Sequence, residues 1–371
     1  MTDPHPVVAP LLLAPRFGRR VWGGNRLGAW VARPDARDPD VQDPDVQAPD
    51  VRAPDVRAPG VPAPGVQAPG VHGPAGEPIG ECWLAGDDNR VIGGPYGGRA
   101  LRDVVDALGE ALVGSVAFGR YGARMPLLAK LLDAAADLSV QVHPDDAYAL
   151  GHERASGHLG KSEAWYVLDA APGAAVLWGF QRDVTAEEVR EAVRSGTLPA
   201  LMHRVAVRRG DVVVNPAGTV HAILAGVVAF EIQQASDLTY RLYDYGRVGA
   251  DGRPRTLHLD KALAVARLEG ARPDLPRPRD LRDGWRRLVE APEFTMDAAT
   301  LDEGPEGGVG VTAPESLEIL TLLGGTATLR TDAGETALAS GSTVVLPAAL
   351  GAYRVTGRGE VVRCAVVKEA S

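Results

Sequence analysis

Leu138-Ser139-Val140-Gln141-Val142-His143-Pro144-Asp145-Asp146 is the stretch on which the reading of this chain turns. Side chains alternate across a strand, so Ser139, Gln141 and His143 share one face while Leu138, Val140 and Val142 face a core. An amide oxygen and an imidazole then point into the same space. Alone, a Gln-x-His pair is ordinary, because such pairs more often lie on a solvated face. Two later stretches change its weight. In Gly160-Lys161-Ser162-Glu163-Ala164-Trp165-Tyr166-Val167-Leu168, Glu163 enters an apolar strand, where a carboxylate needs a partner. In Gly210-Asp211-Val212-Val213-Val214-Asn215-Pro216-Ala217-Gly218-Thr219-Val220-His221-Ala222-Ile223, a strand runs into a Pro/Gly turn and returns on a strand that starts with His221. Gln141, His143, Glu163 and His221 together make the nitrogen and oxygen ligand set of one divalent metal ion, with water completing the shell.

Around these stretches the chain reads as mainly β. Short runs of Val, Ile, Leu and Tyr broken by Gly, Pro or Asp recur at Leu138 to Val142, Ala164 to Leu168, Ala174 to Trp178, Asp211 to Asn215 and Val227 to Gln233. That spacing predicts a sandwich or barrel. Helical patterns are expected at 101–113 and 119–134. A further helix at 186–195 has Thr185 and Glu188 in capping-box spacing and Gly196 as its stop. Arg277-Pro278-Arg279-Asp280 reads as a linker, after which strands resume from Phe294 to the end. The expected division is a catalytic domain over 1–290 and a smaller β-domain over 291–371. The second contains no histidine and is expected to bind no metal.

From Asp38 to Gly76 the sequence repeats every five residues, with Pro39, Pro44, Pro49, Pro54, Pro59, Pro64, Pro69 and Pro74 in register. Regular proline removes backbone donors, and the Asp, Gly, Ala and Gln between offer little apolar surface to offset ordering entropy. Residues 32–78 are therefore read as a flexible insertion in a surface loop, dividing Pro15-Arg16-Phe17-Gly18-Arg19-Arg20-Val21-Trp22-Gly23-Gly24 from Ile79-Gly80-Glu81-Cys82-Trp83-Leu84.

Composition limits the partners. A net charge of −9 argues against nucleic acid and against an anionic membrane surface. Cys82 and Cys364 stand far apart with no C-x-x-C, which fits a reducing, cytoplasmic setting. The apolar run Pro10-Leu11-Leu12-Leu13-Ala14 is too short for an export signal or a membrane span. Four of the 39 basic residues are lysine, and one, Lys161, stands two positions from Glu163. In a chain that otherwise takes arginine, this suggests a need for a compact ammonium of tunable pKa.

The order of the ligand segments suits a cupin, a small jelly-roll barrel in which one hairpin brings several ligands and a later Pro-Gly turn brings the last histidine. Gln141-x-His143-Pro144, Gly160-Lys161-Ser162-Glu163-x-Trp165-Tyr166 and Pro216-Ala217-Gly218-Thr219-Val220-His221-Ala222 resemble the motifs of type I mannose-6-phosphate isomerases in their short bacterial form. The run from Glu231 to Arg247 resembles the segment carrying that family's catalytic arginine, which falls on Arg241. Leu257-His258-Leu259-Asp260-Lys261-Ala262-Leu263 is similar to the block that follows. The likeness runs from Pro15 to about residue 270, with the pentapeptide insertion and Ala164, where many relatives carry Cys, as departures.

The resemblance implies a cupin catalytic domain with helical segments, a second cupin-like β-domain, and one divalent ion per chain, zinc or another. It also implies interconversion of mannose 6-phosphate and fructose 6-phosphate through a cis-enediol. Arg241 would then stabilise enediolate charge, and Lys161, Asp237 or a metal-associated group would act as base. Ser139, Lys161 and Arg247 are candidate phosphate donors. A small sugar phosphate is the expected partner, and the chain is expected as a monomer or weak homo-oligomer. Isomerisation of a related free sugar or sugar phosphate, a catalytically silent sugar-binding cupin, and a dioxygenase cupin remain as alternatives.

Overall fold

The structure, a computed structural model, describes residues 7–31, 41–42, 79–248, 252–273, 275–302, 308–311 and 314–367. Apart from the two-residue strand Val41–Gln42, which pairs in parallel with Phe17 and Gly18, the 32–78 insertion lies outside the described residues.

Two sheets enclose the interior that carries the ligand set. The first has seven strands, in the order Val212–Asn215, Glu163–Ala170, Val227–Gln234, Leu127–Asp133, Ile79–Ala85, Arg16–Gly24 and Val41–Gln42. The second has five, in the order Tyr240–Tyr243, Val140–Val142, His221–Ile223, Ala175–Phe180 and Met202–Ala206. Trp165, Val167, Val213 and Leu132 from the first sheet pack against Val176 and Ile223 from the second, so the space between them is a shared core. This is the β-rich barrel expected of a cupin. The anticipated strands at Ala164, Ala174, Asp211 and Val227 all appear, with ends shifted by a residue or two.

The outer face of the five-stranded sheet is covered by helices. Val189 and Ala192 of the helix Ala186–Arg194 and Ala262 of Leu259–Val265 pack on Val140, Val142, Leu177 and Ala222. The first of these helices begins with the expected capping box. Thr185 Oγ1 accepts from the Glu188 amide at 3.2 Å, and Glu188 accepts from the Thr185 amide at 2.7 Å.

The seven-stranded sheet turns its other face to a third sheet of nine strands, most of them drawn from between Arg279 and Val366. That sheet takes in Arg279–Asp280 and Arg286–Glu290 and, from the opposite end of the chain, Leu11–Leu13, which pairs with Thr343–Val345. One apolar cluster runs through the contact, joining Tyr166, Leu168, Phe230 and Ile232 to Phe294, Ile319, Val362 and Cys364. The Tyr166 hydroxyl donates to Glu360 at 2.5 Å across the same boundary.

One expected helix is corrected. Residues 119–134 do not continue as a helix: Ser115–Tyr121 is helical, and Leu127–Asp133 is a strand in the middle of the seven-stranded sheet. Every residue of Leu-Leu-Ala-Lys-Leu-Leu-Asp is buried there, because both faces of the sheet are covered. Burial on two sides removes the alternation that marks a strand, and paired leucines then imitate helical spacing.

Candidate metal centre

Both barrel sheets contribute to the site. Gln141 and His221 lie opposite each other in neighbouring strands of the five-stranded sheet, and Glu163 starts a strand of the seven-stranded sheet. His143 follows Gln141 at the end of its strand. The loops are tied together through their backbones: the Gly218 amide donates to the His143 carbonyl at 2.8 Å, and the Lys161 amide to the Pro144 carbonyl at 2.9 Å. Gly218 has φ +86°, a left-handed turn that glycine adopts without a Cβ penalty. The Pro-Gly turn thus holds the strand of His221 in register with the segment that carries His143.

His143, Glu163 and His221 are at most 1% exposed, and one donor atom from each lies within 4.8 Å of the others. His143 Nδ1 is 2.9 Å from the Leu238 carbonyl oxygen and His221 Nδ1 is 2.9 Å from the Thr219 carbonyl oxygen. A carbonyl only accepts, so each ring carries its proton on Nδ1 and turns a lone pair outward on Nε2. These lone pairs face the two oxygens of one carboxylate: His221 Nε2 is 3.1 Å from Glu163 Oε1, and His143 Nε2 is 3.4 Å from Glu163 Oε2. Lone pair against lone pair repels unless a positive or donor group lies among them. On the His143 side Lys161 Nζ takes that place by donating to Oε2, and the pair of His221 Nε2 and Glu163 Oε1 is left open. Glu163 Oε1 receives no hydrogen bond from any described residue, and the Gln141 amide lies 3.5 Å from His221 Nε2. Two imidazoles presenting Nε2, one carboxylate and one carboxamide, with carbonyls fixing the rings from behind, fit a single divalent metal ion.

The electrostatics agree. Burial, followed by the positive Lys161, holds His143 down to about 3, so the ring is neutral and able to coordinate at physiological pH. Burial alone would raise Glu163, but Lys161 and the two histidines outweigh it and keep the carboxyl ionised well below its ordinary range. Lys161 is itself buried, donating to Glu163 Oε2 and lying 3.1 Å from His143 Nε2.

The other anticipated residues fall at different depths. Arg241 is the register partner of Gln141 and shares its face of the sheet, with Nη1 donating to the Thr256 carbonyl at 2.8 Å. Ser139 is buried just before the Gln141 strand. Asp237 is exposed and lines a cavity of about 390 Å³ together with Arg20, Trp83, His158 and Ser236. Arg247 is clamped to its own loop, donating to the Asp137 carbonyl and to Asp244, with its guanidinium 5.3 Å from the centre of the Tyr245 ring.

Two interior residues went unassigned in the sequence. Trp83, Lys130, Glu231 and Trp165 are cross-strand neighbours in one row across the seven-stranded sheet. Trp165 Nε1 donates to Glu231 at 3.0 Å, and its ring meets His221 edge-on at 5.4 Å, so the row ends at the ligand set. Lys130 Nζ lies 3.7 Å from Glu231 and 4.6 Å from the centre of the Trp83 ring. Burial and the nearby Glu163 raise the Glu231 carboxyl above its ordinary value. The scarcity of lysine that drew attention to Lys161 applied equally to Lys130.

Residues 65–162 match the family model for the catalytic domain of type I phosphomannose isomerase. Among curated relatives, the mannose-6-phosphate isomerase ManA of Bacillus subtilis is 34% identical over 294 residues, covering 76% of this chain and 88% of that protein. A probable mannose-6-phosphate isomerase of the same organism, GmuF, is 43% identical over 194 residues, 51% of this chain and 59% of the relative. A crystal structure of the mannose 6-phosphate isomerase from Bacillus subtilis superposes with a TM-score of 0.75 at 28% identity, covering 96% of this chain and 99% of that one. A zinc-bound mannose 6-phosphate isomerase shares the fold at a TM-score of 0.67 and 17% identity, covering 97% of this chain and 100% of that one. Fold and donor set define a cupin isomerase with a metal site in its barrel. The chain belongs to the type I mannose-6-phosphate isomerase family.

Proposed function

We propose that this chain interconverts mannose 6-phosphate and fructose 6-phosphate, with Gln141, His143, Glu163 and His221 holding one divalent metal ion, zinc by analogy with the zinc-bound relative. The observation that carries the reading is the pair of Nε2 lone pairs turned on the two oxygens of a single buried carboxylate. A divalent ion held there would supply Lewis-acid polarisation of substrate oxygens.

The chain's own residues divide the remaining work. Arg241, beside Gln141 on the same face, is permanently cationic and cannot coordinate metal, so it stabilises negative charge on the enediolate. Proton movement between C1 and C2 is assigned to Glu231, which accepts from Trp165 in the row that ends at His221 and whose carboxyl is raised above its ordinary value by burial and by Glu163. Lys161, held against Glu163 and His143, is placed as a hydrogen-bond donor to substrate oxygen. The exposed Asp237 belongs to the cavity wall that includes Trp83. Ser139 stands close to the ligand strand as a phosphate donor, and Arg247, which already donates to Asp244 and the Asp137 carbonyl, is the second candidate.

The test is a coupled assay on mannose 6-phosphate for the wild type and Glu231→Gln, before and after exhaustive chelation. Chelated enzyme should be inactive and recover on adding zinc, and the metal-loaded variant should lose about a hundredfold or more in kcat with KM little changed. Activity surviving chelation would refute the metal reading. Full kcat in the variant would move the proton transfer to another group.

A further inference from the structure

Asn215 ends the strand Val212–Asn215 and is the cross-strand partner of Glu163, so its side chain lies on the barrel-interior face with Val213 and Trp165. It is 1% exposed, and neither Oδ1 nor Nδ2 has a hydrogen-bond partner among the described residues. Glu163 has a second amide on its other side. Gln233, its partner in the next strand, is fully buried and spends Nε2 on the carbonyls of Gln234 and Ser236, at 2.9 and 2.7 Å, leaving Oε1 without a donor. Two buried amides with unpartnered atoms therefore flank the ligand carboxylate in register.

A buried amide left without partners costs about 1–3 kcal/mol, and native proteins satisfy nearly all such groups. The strand gives no structural reason to accept that cost. Three valines precede Asn215, and an apolar residue would continue them at no desolvation penalty. Nor does the side chain cap the following turn, whose amides are already satisfied. Ala217 donates to Ser162 Oγ at 3.2 Å, Gly218 to the His143 carbonyl at 2.8 Å and Thr219 to the Pro216 carbonyl at 3.0 Å.

We propose that Asn215 is a substrate-binding residue whose carboxamide hydrogen-bonds a hydroxyl of the sugar chain held beside Glu163. A carboxamide offers donor and acceptor side by side, the complement of an alcohol, which both gives and takes a hydrogen bond. The inference rests on the isomerase reading above and assigns that site a determinant for the secondary hydroxyls of a polyol chain. A site built to hydrogen-bond a hydroxyl discriminates against the analogue lacking it, because its polar groups are then left buried and unpaired.

The experiment compares wild type, Asn215→Leu and Asn215→Ala, all metal-loaded, on mannose 6-phosphate and on its 3-deoxy and 4-deoxy analogues. Thermal unfolding and zinc content are measured without substrate. Both variants should bind zinc fully and melt no lower than wild type in the Leu case, yet lose about tenfold to a hundredfold in kcat/KM on mannose 6-phosphate. Wild type should lose a similar factor on one deoxy analogue, and the variants should no longer distinguish that analogue from the parent sugar. Unchanged kcat/KM in the variants, or a fall tracking lower melting temperature or lost zinc, overturns the assignment. Should Asn215→Leu fail to fold, Asn215→Ala decides on the same criteria. Wild-type turnover of mannose 6-phosphate in the same assay reports separately on the isomerase reading.

Discussion

Two of the buried charge clusters among the described residues are finished differently. In the C-terminal sheet Asp297 is bound on both oxygens, by Arg287 on one and Arg363 on the other, and Glu318 accepts from Tyr353 and lies 3.7 Å from Arg363. In the catalytic barrel Glu163 Oε1, Gln233 Oε1 and both amide atoms of Asn215 have no hydrogen-bond donor or acceptor among the described residues. A closed network serves its own fold. The open one leaves unsatisfied atoms that the proposed ligands would take up. Around the first, Trp285, Leu301, Leu320, Leu346 and Val355 form an apolar cluster. Around the second lie three further buried charged residues, Lys130, Glu231 and Lys161.

The comparison predicts different losses when each network is cut, and the largest belong to the open one. His221→Ala removes a proposed ligand whose Nδ1 faces the Thr219 carbonyl, so zinc content and turnover should fall together. Arg241→Ala should keep its zinc but lose roughly two to three orders of magnitude in kcat, the scale of removing one preorganised donor to a developing oxyanion. Metal stoichiometry measured beside kcat and KM separates the two. An Arg241→Ala enzyme with full kcat and a large rise in KM would place that guanidinium on the phosphate instead.

Cutting the closed network should do the opposite. Asp297→Ala strands Arg287 and Arg363 without their shared carboxylate, and removing one member of a buried ion cluster costs about 3–5 kcal/mol of stability. Denaturant unfolding should register that loss, while kcat, KM and zinc content of the folded fraction stay at wild-type values. A variant equally stable, or one whose kcat falls with its stability, would break the distinction between the two regions.

The clustering of His143, Glu163 and His221 was legible in the sequence because each stands next to a local signal: a Pro after His143, a strand entry at Glu163, a Pro-Gly turn before His221. Such signals act over a few residues, and so does the capping box at Thr185. Lys130 and Glu231 carry no local mark. Both sit inside strands covered on two sides, and the helical reading of 119–134 turned Lys130 away from the sheet altogether. Their meeting depends on the pairing of Leu127–Asp133 with Val227–Gln234, a contact about a hundred residues apart in sequence that no window of alternation reports. The same holds for Asn215, legible only as the end of a valine strand until its register with Glu163 placed it in the interior. The C-terminal sheet was visible as strands, but the recruitment of Leu11–Leu13 into it could not be read from an isolated apolar tripeptide.

Glu81 offers the smallest and most graded test, since it belongs to the catalytic barrel but is finished like the C-terminal network. Its carboxylate accepts from Arg20 at 2.8 Å and from Trp83 Nε1 at 2.9 Å, and Lys130 adds a second positive charge. Burial by itself would raise its pKa, but Arg20, then Lys130 and the Trp83 hydrogen bond, outweigh it and bring the value down from 4.5 to about 2. A carboxyl depressed in the folded state binds its proton more tightly when unfolded. Its contribution is therefore complete above about pH 4.5 and is lost as pH falls toward 2. The shift corresponds to roughly 3 kcal/mol at neutral pH. Glu81→Gln keeps the shape and an acceptor for Trp83 but cannot titrate. Urea unfolding of the two chelated proteins across this pH range should show the wild type ahead at pH 7, with the gap closing below pH 4.5. Parallel stability curves would mean that Glu81 is not held by its cationic neighbours, and the barrel wall would then belong with the open network rather than the closed one.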